Sequence, residues 1–116
     1  MEFNQEIHPT AIVHPKAKIA KNIKIGAYSV IGKSVEIGED TEIGNHVNIT
    51  GLTKIGKLNK IYHFSSIGEQ PQDMKYKDQE TFLEIGHRNT IREFCTLNTG
   101  TAEGNKKTIV GNDNWI

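Results

Sequence analysis

A large branched aliphatic residue stands at every sixth position over the first half of this chain, at Ile7, Val13, Ile19, Ile25, Ile31, Ile37, Ile43, Ile49, Ile55, Ile61 and Ile67. Isoleucine is about one residue in seven here, so chance does not produce that register. A helix would place its apolar residues at a period near 3.6 and an ordinary strand at 2, and a spacing of six serves neither. The spacing instead describes a short strand and a sharp corner in every six residues, the signature of a repeat architecture.

Two further columns support that unit. The residue after the aliphatic is often glycine (Gly26, Gly32, Gly38, Gly44, Gly56, Gly68). Four places after it comes a smaller or branched side chain, as at Ala11, Ser29, Val35, Thr41, Val47, Thr53 and Ser65, with Ile23 and Asn59 as exceptions. The aliphatic and the residue two places before it point inward by strand alternation, and the charged residue between them faces water. Three strands close one triangular coil of eighteen residues. Stacked coils then pile isoleucine on isoleucine at roughly the 4.7 to 4.8 Å spacing of hydrogen-bonded strands. The expected class is all-β, a parallel β-helix with a solid core. Glycine, asparagine and aspartate at the corners, as in Gly38-Glu39-Asp40 and Gly44-Asn45, are expected to supply positive φ or tight geometry.

Composition agrees. Only 35% of residues are hydrophobic and 7% aromatic, little for a mixed globular core but enough for a narrow interior filled by one branched residue type. Fourteen basic residues balance fourteen acidic ones, which leaves no field to draw nucleic acid or an anionic membrane. No run approaches the roughly 20 apolar residues of a membrane span, and the start Met1-Glu2-Phe3-Asn4-Gln5-Glu6 lacks the pattern of a secretory signal. The single Cys95 offers no internal disulfide and suits a reducing compartment, so a cytoplasmic location is expected.

One domain over residues 1–116 is expected, with the register interrupted twice, by loops at about 69–84 and 98–109. Loops that leave a rigid solenoid are where function is carried, because the coils alone offer flat walls. The sequence ends at Trp115-Ile116 in mid-hexad without a polar cap, which reads as part of a longer protein.

Hexads by themselves specify a fold and not a reaction. More specific words occur in Ile7-His8-Pro9-Thr10-Ala11, Ile61-Tyr62-His63-Phe64-Ser65-Ser66-Ile67-Gly68-Glu69, Pro71-Gln72-Asp73-Met74-Lys75-Tyr76, Ile91-Arg92-Glu93 with Asn98-Thr99-Gly100-Thr101, and Gly111-Asn112-Asp113-Asn114-Trp115-Ile116. In this order and spacing they resemble the acyl-ACP:UDP-N-acetylglucosamine O-acyltransferase family of lipid A biosynthesis along essentially the whole chain. That resemblance implies a left-handed parallel β-helix followed by a C-terminal helical domain, a homotrimer with clefts between subunits, acyl carrier protein as donor and UDP-N-acetylglucosamine as acceptor, with no cofactor. It also implies a general-base histidine on a coil beyond Ile116, so no catalytic residue is expected within the chain, and the chain by itself is expected to be inactive.

By the same resemblance Asp73 matches the loop aspartate that contacts the sugar and Lys75 the neighbouring lysine. Gln72 would be a ligand or an amide that shapes the loop. A carboxylate can accept hydrogen bonds from sugar hydroxyls, and an ammonium can stabilise a phosphate or a developing oxyanion. Asn98 stands where many members of the family carry histidine.

The other polar residues invite plainer readings. His8 and His14 should decorate turns beside Pro9 and Pro15, and His46, His63 and His87 have no spacing that closes a zinc site within one chain, so no metal is expected. Arg92 and Glu93 suggest a structural ion pair at a subunit interface, and Cys95 a buried, inert thiol. The alternatives kept open are a non-catalytic β-helix scaffold, another hexapeptide-repeat acyltransferase, and a zinc carbonic anhydrase of the γ type.

Overall fold

The computed structural model describes residues 5–69, 81–99 and 107–116, and all regular structure among them is strand. Three parallel five-stranded sheets form the walls of a triangular prism. The first contains Glu6–Ile7, Lys24–Ile25, Glu42–Ile43, Lys60–Ile61 and Thr90–Ile91. The second contains Ile12–Val13, Val30–Ile31, Asn48–Ile49, Ser66–Glu69 and Thr96–Asn98, and the third Lys18–Ile19, Val35–Ile37, Leu52–Ile55, Phe82–Ile85 and Lys107–Val110.

Register follows the isoleucine column. Ile7 pairs with Ile25, Ile25 with Ile43, Ile43 with Ile61 and Ile61 with Ile91. The cross-coil offset is 18 residues low in the stack, 30 where Lys57 meets His87 and 25 where His87 meets Asn112. The register of the described strands is thus kept on either side of residues 70–80 and 100–106. Their edges lie inside the expected loop boundaries: Glu69 still belongs to a strand, pairing resumes at Phe82, Asn98 is paired, and pairing returns at Lys107. The four-residue strands at Phe82–Ile85 and Lys107–Val110 start three residues before the aliphatic column resumes at Ile85 and Val110, so the six-residue pattern alone placed the loops too wide.

The core is a file of side chains from Ile23 to Ile91, with Ile23, Ile49, Ile67 and Ile91 fully sequestered. Each such isoleucine stabilises the fold by about 2 kcal/mol. The smaller inward column mixes apolar with polar members, and most of the polar ones bond to the backbone of the next coil. Ser29 Oγ donates to the Gly44 carbonyl at 2.7 Å and Thr41 Oγ1 to that of Gly56 at 3.1 Å. Asn59, an exception to the small-residue pattern, donates to the Gly86 carbonyl at 2.8 Å and accepts from the Asn89 amide at 2.9 Å. Asn89 repeats this with Gly111 and Asn114 one coil on. Among the described residues no buried side-chain polar atom lacks a partner. Cys95 differs from expectation: it is only half-buried, because it lies near the top of the described stack, with Sγ 3.6 Å from the Ile116 carbonyl.

The corners also differ in detail. Positive φ falls on the third residue after the aliphatic, at Asn22, Asp40, Leu58, Arg88 and Asp113 on one edge and at Tyr28, His46, Phe64 and Phe94 on the next. Among the described glycines only Gly51 and Gly68 have it. Gly44 instead clears space for the next coil, since a Cβ there would lie 2.6 Å from His63 Nδ1. That approach lets side chains cap amides across coils. The Ala27 amide donates to Asn45 Oδ1, that of Asn45 to His63 Nδ1 and that of Lys57 to His87 Nδ1, each at 2.8 Å. His8 and His14 accept from the amides of Thr10 and Lys16 within their own turns.

Two predictions follow from these contacts. His63→Ala should lower stability by roughly 1 kcal/mol by leaving the Asn45 amide without its acceptor, and His63→Asn should recover most of it, because asparagine does the same task at Asn45; urea titration measures both. Nearer the top, Arg88 grips Asp113 through Nε at 2.7 Å and Nη2 at 3.0 Å. These hydrogen bonds outweigh partial desolvation and, with the guanidinium charge adding, hold the Asp113 carboxyl below the usual range. The stabilisation is therefore present at neutral pH and lost as pH falls through that lowered value. An NMR titration of Asp113 should have its midpoint below that of an unfolded peptide, and Arg88→Gln should raise it.

Candidate functional site

At the edge between the second and third sheets the regular stack is interrupted. Ile67 pairs with Leu97, but the next pair is Glu69 with Asn98, a bulge that turns on Gly68 at φ 86°. One coil below, Gly51 takes φ 70°. Both glycines are required by geometry, since a Cβ on Gly68 would run into the Thr50 carbonyl and Thr53 Oγ1.

The bulge opens a cleft of about 790 Å³ lined by Thr50, Gly51, Ser66, Gly68, Glu69, Thr96 and Asn98. Thr50 Oγ1 donates to Glu69 Oε1 at 3.1 Å, and the Thr99 amide to the Glu69 carbonyl at 3.1 Å. Below the floor Thr81 and Thr99 join hydroxyls at 2.7 Å. Hydroxyls, one carboxamide and one carboxylate form the lining, with no lysine or arginine among these residues. Such a surface suits hydrogen bonding to a polyhydroxylated ligand.

Asp73, Lys75 and Gln72 lie outside the described residues. The described chain stops at Glu69, which lines the cleft, and resumes at Thr81, which bonds to Thr99, the residue after Asn98 of the lining. Asn98 is placed directly in the lining. Thr50, Ser66, Glu69 and Thr96 were not singled out from sequence as site residues. The available signal was the loss of hexad register just after Gly68.

Arg92 has a different setting. Its guanidinium lies over Tyr62 at 4.6 Å and Trp115 at 5.4 Å, while Nε donates to Glu93 Oε1 at 3.0 Å. Glu93 is held below the usual carboxylate range, first by a hydrogen bond from its own backbone amide and then by Arg92. The ion pair expected between Arg92 and Glu93 forms. Along the first sheet a trough of about 570 Å³ carries Glu6, Lys24, Glu42 and Lys60, whose charges alternate strand by strand, with Lys60 and Glu42 3.9 Å apart.

Prism and cleft together define a hexapeptide-repeat β-helix protein, and residues 16–51 match the bacterial transferase hexapeptide family (six repeats). The acyl-[acyl-carrier-protein]--UDP-N-acetylglucosamine O-acyltransferase of Paraburkholderia xenovorans is 57% identical over 61 residues, covering 53% of this chain and 23% of that protein. Its counterpart from Ralstonia nicotianae is 59% identical over 58 residues, 50% of this chain and 21% of that protein. Among solved structures, UDP-N-acetylglucosamine O-acyltransferase from Moraxella catarrhalis superposes with a TM-score of 0.92 at 49% identity, covering 95% of this chain and 43% of that one. The Bacteroides fragilis enzyme gives 0.90 at 43% identity, covering 94% and 42%.

In sequence and in fold this chain resembles the acyl-ACP:UDP-N-acetylglucosamine O-acyltransferases, as a left-handed parallel β-helix. It spans less than half the length of those solved relatives, and its match to the curated ones covers under a quarter of theirs. No helix among the described residues is long and apolar enough to cross a membrane.

Gly68→Ala should cost about 2 kcal/mol, because an L-residue at φ 86° is strained and its methyl meets backbone. Gly32→Ala is the control: its Cβ would come no closer than 3.4 Å to Thr50 Cα, and it should be near neutral. Thermal unfolding of the two variants side by side checks both.

Proposed function

We propose that this chain is part of an O-acyltransferase that moves a (3-hydroxy)acyl chain from acyl carrier protein to the 3-hydroxyl of UDP-N-acetylglucosamine in lipid A biosynthesis, acting as a cytoplasmic homotrimer. The observation that carries the reading is the polar cleft at the second-to-third sheet edge. It includes Glu69, the last described residue before the Asp73 segment, on a prism that matches a solved enzyme of this name over 95% of its length.

Asp73 accepts hydrogen bonds from sugar hydroxyls, Lys75 stabilises phosphate or developing oxyanion charge, and Gln72 helps shape or fill the pocket. In the reaction the sugar 3-oxygen attacks the thioester carbonyl. A carbon–oxygen bond forms, the carbon–sulfur bond breaks, and the departing thiolate takes up a proton. The proton of the 3-hydroxyl goes to a histidine which, by the family resemblance, lies on a coil beyond Ile116. The residues described in this chain contribute binding and orientation.

Acyl transfer is best measured for the 116-residue chain beside a version extended through the following coils. The extended protein should be active and the short form inactive; comparable rates would remove the role given to the downstream histidine. In the extended protein Asp73→Ala should lower kcat/KM for the sugar nucleotide by about tenfold or more, equivalent to roughly 1.4 kcal/mol of transition-state stabilisation. Full activity in that variant would favour a scaffold role for the excursion.

A further inference from the structure

Glu69 is fixed from three sides in the cleft it lines. A bulge pairs it with Asn98, the Thr99 amide donates to its carbonyl at 3.1 Å, and Thr50 Oγ1, one coil below, donates to Oε1 at 3.1 Å. Nothing in those bonds requires a charge. A glutamine would present the same oxygen to Thr50, and elsewhere in the stack the neutral side chains of Asn45 and Asn112 make such contacts between coils.

Several other carboxylates meet a cation. Glu42 lies 3.9 Å from Lys60, Glu84 3.9 Å from Lys107, Glu93 3.0 Å from Arg92 and Asp113 2.7 Å from Arg88. Among the described residues Glu69 makes no ion pair, and its Oε2 has no partner. The cleft lining holds no lysine or arginine, and the row beside it on the second sheet reads Asn48, Ser66 and Thr96. An ionised carboxylate offers about four acceptor directions, of which the Thr50 hydroxyl uses one. The others open on a surface of hydroxyls and one carboxamide.

The geometry points to Glu69 as a binding residue for the acceptor sugar, with Oε2 accepting a hydrogen bond from a sugar hydroxyl and the Asn98 carboxamide at the register position opposite. A hydroxyl donates to an ionised carboxylate with roughly twice the strength it has toward a neutral oxygen, which gives the charge its use. The same charge repels an anion, so this part of the cleft takes the neutral ring of a sugar nucleotide and turns its diphosphate away. Thr50 is then a positioning residue, which holds the carboxylate and does not touch the sugar. The inference rests on the acyltransferase reading and deepens it by naming a residue that reads the sugar ring. With the 3-hydroxyl as nucleophile, the hydroxyls left to donate to Glu69 are the 4- and the 6-hydroxyl.

Calorimetric titration of UDP-N-acetylglucosamine into the extended protein, beside steady-state kinetics, tests it. Glu69→Gln keeps an oxygen for Thr50 and loses the charge. It should weaken sugar-nucleotide binding by about tenfold and raise KM for that substrate alike, with KM for the acyl donor and the unfolding midpoint unchanged. Thr50→Val, which frees the carboxylate without removing it, should weaken the same ligand by about threefold. Of the 4-deoxy and 6-deoxy analogues, one should bind the unaltered protein about tenfold more weakly than the parent and lose nothing further on Glu69→Gln. Should Glu69→Gln not fold, equal binding of the parent and both analogues to the unaltered protein would overturn the inference. Parent binding unchanged in Glu69→Gln, or an equal loss in that variant for the parent and both analogues, would do the same and leave the acyltransferase reading standing. An extended protein that neither binds nor acylates UDP-N-acetylglucosamine would remove that reading, and this inference with it.

Discussion

Everything in this molecule depends on the parallel hydrogen-bonded stacking of one coil on the next. Because Ile7, Ile25, Ile43, Ile61 and Ile91 are register partners, the interior is a column of like residues in which each side chain packs on its own kind. Nothing in that column can slip by one residue without turning its aliphatic side chains to water and its charged ones inward. The same constraint makes insertions cheap in one direction: extra residues may leave at a corner provided the chain returns to the next position of the column. Among the described residues the cross-coil offset changes from 18 to 30 and 25 while the sheets keep their register.

Stacking also dictates what the corners can be. Bringing backbones close enough for cross-coil hydrogen bonds leaves amides at each turn in need of acceptors, and the next coil supplies them from asparagine and histidine side chains. Glycine at the preceding position makes room for those side chains. The histidines of this chain are thus largely occupied by the architecture: four accept backbone amides, and the fifth, His46, stacks between Tyr28 and Phe64. A residue type that attracts functional readings is here mostly a structural acceptor, and the distinction comes from geometry that spacing cannot express.

The candidate site lies where the repeat is interrupted. A bulge at Gly68 and a left-handed glycine at Gly51 open the wall just where hydroxyls and a carboxylate line up, and Glu69, the last described residue before 70–80, lies on the same edge. The prism is rigid and repetitive, so a pocket can be made only by breaking register. The ring ladder of Tyr28, His46, Phe64 and Phe94 lies along the opposite edge of that same sheet.

The sequence alone determined the prism, its three-strand coil and the identity of its core, because a period of six admits only one way of burying one large aliphatic per strand. It also pointed to an acyltransferase family through words such as Pro71-Gln72-Asp73-Met74-Lys75-Tyr76, and to structural roles for Arg92 and Glu93. It did not reveal the limits of the excursions, the exposure of Cys95, or the cleft formed by Thr50, Glu69 and Asn98. Those depend on residues 19 to 48 positions apart meeting across coils. Nor could it tell that Tyr28, His46, Phe64 and Phe94 form one continuous file. Local spacing encodes which way a side chain points, but which side chains become neighbours is decided only when the coils stack.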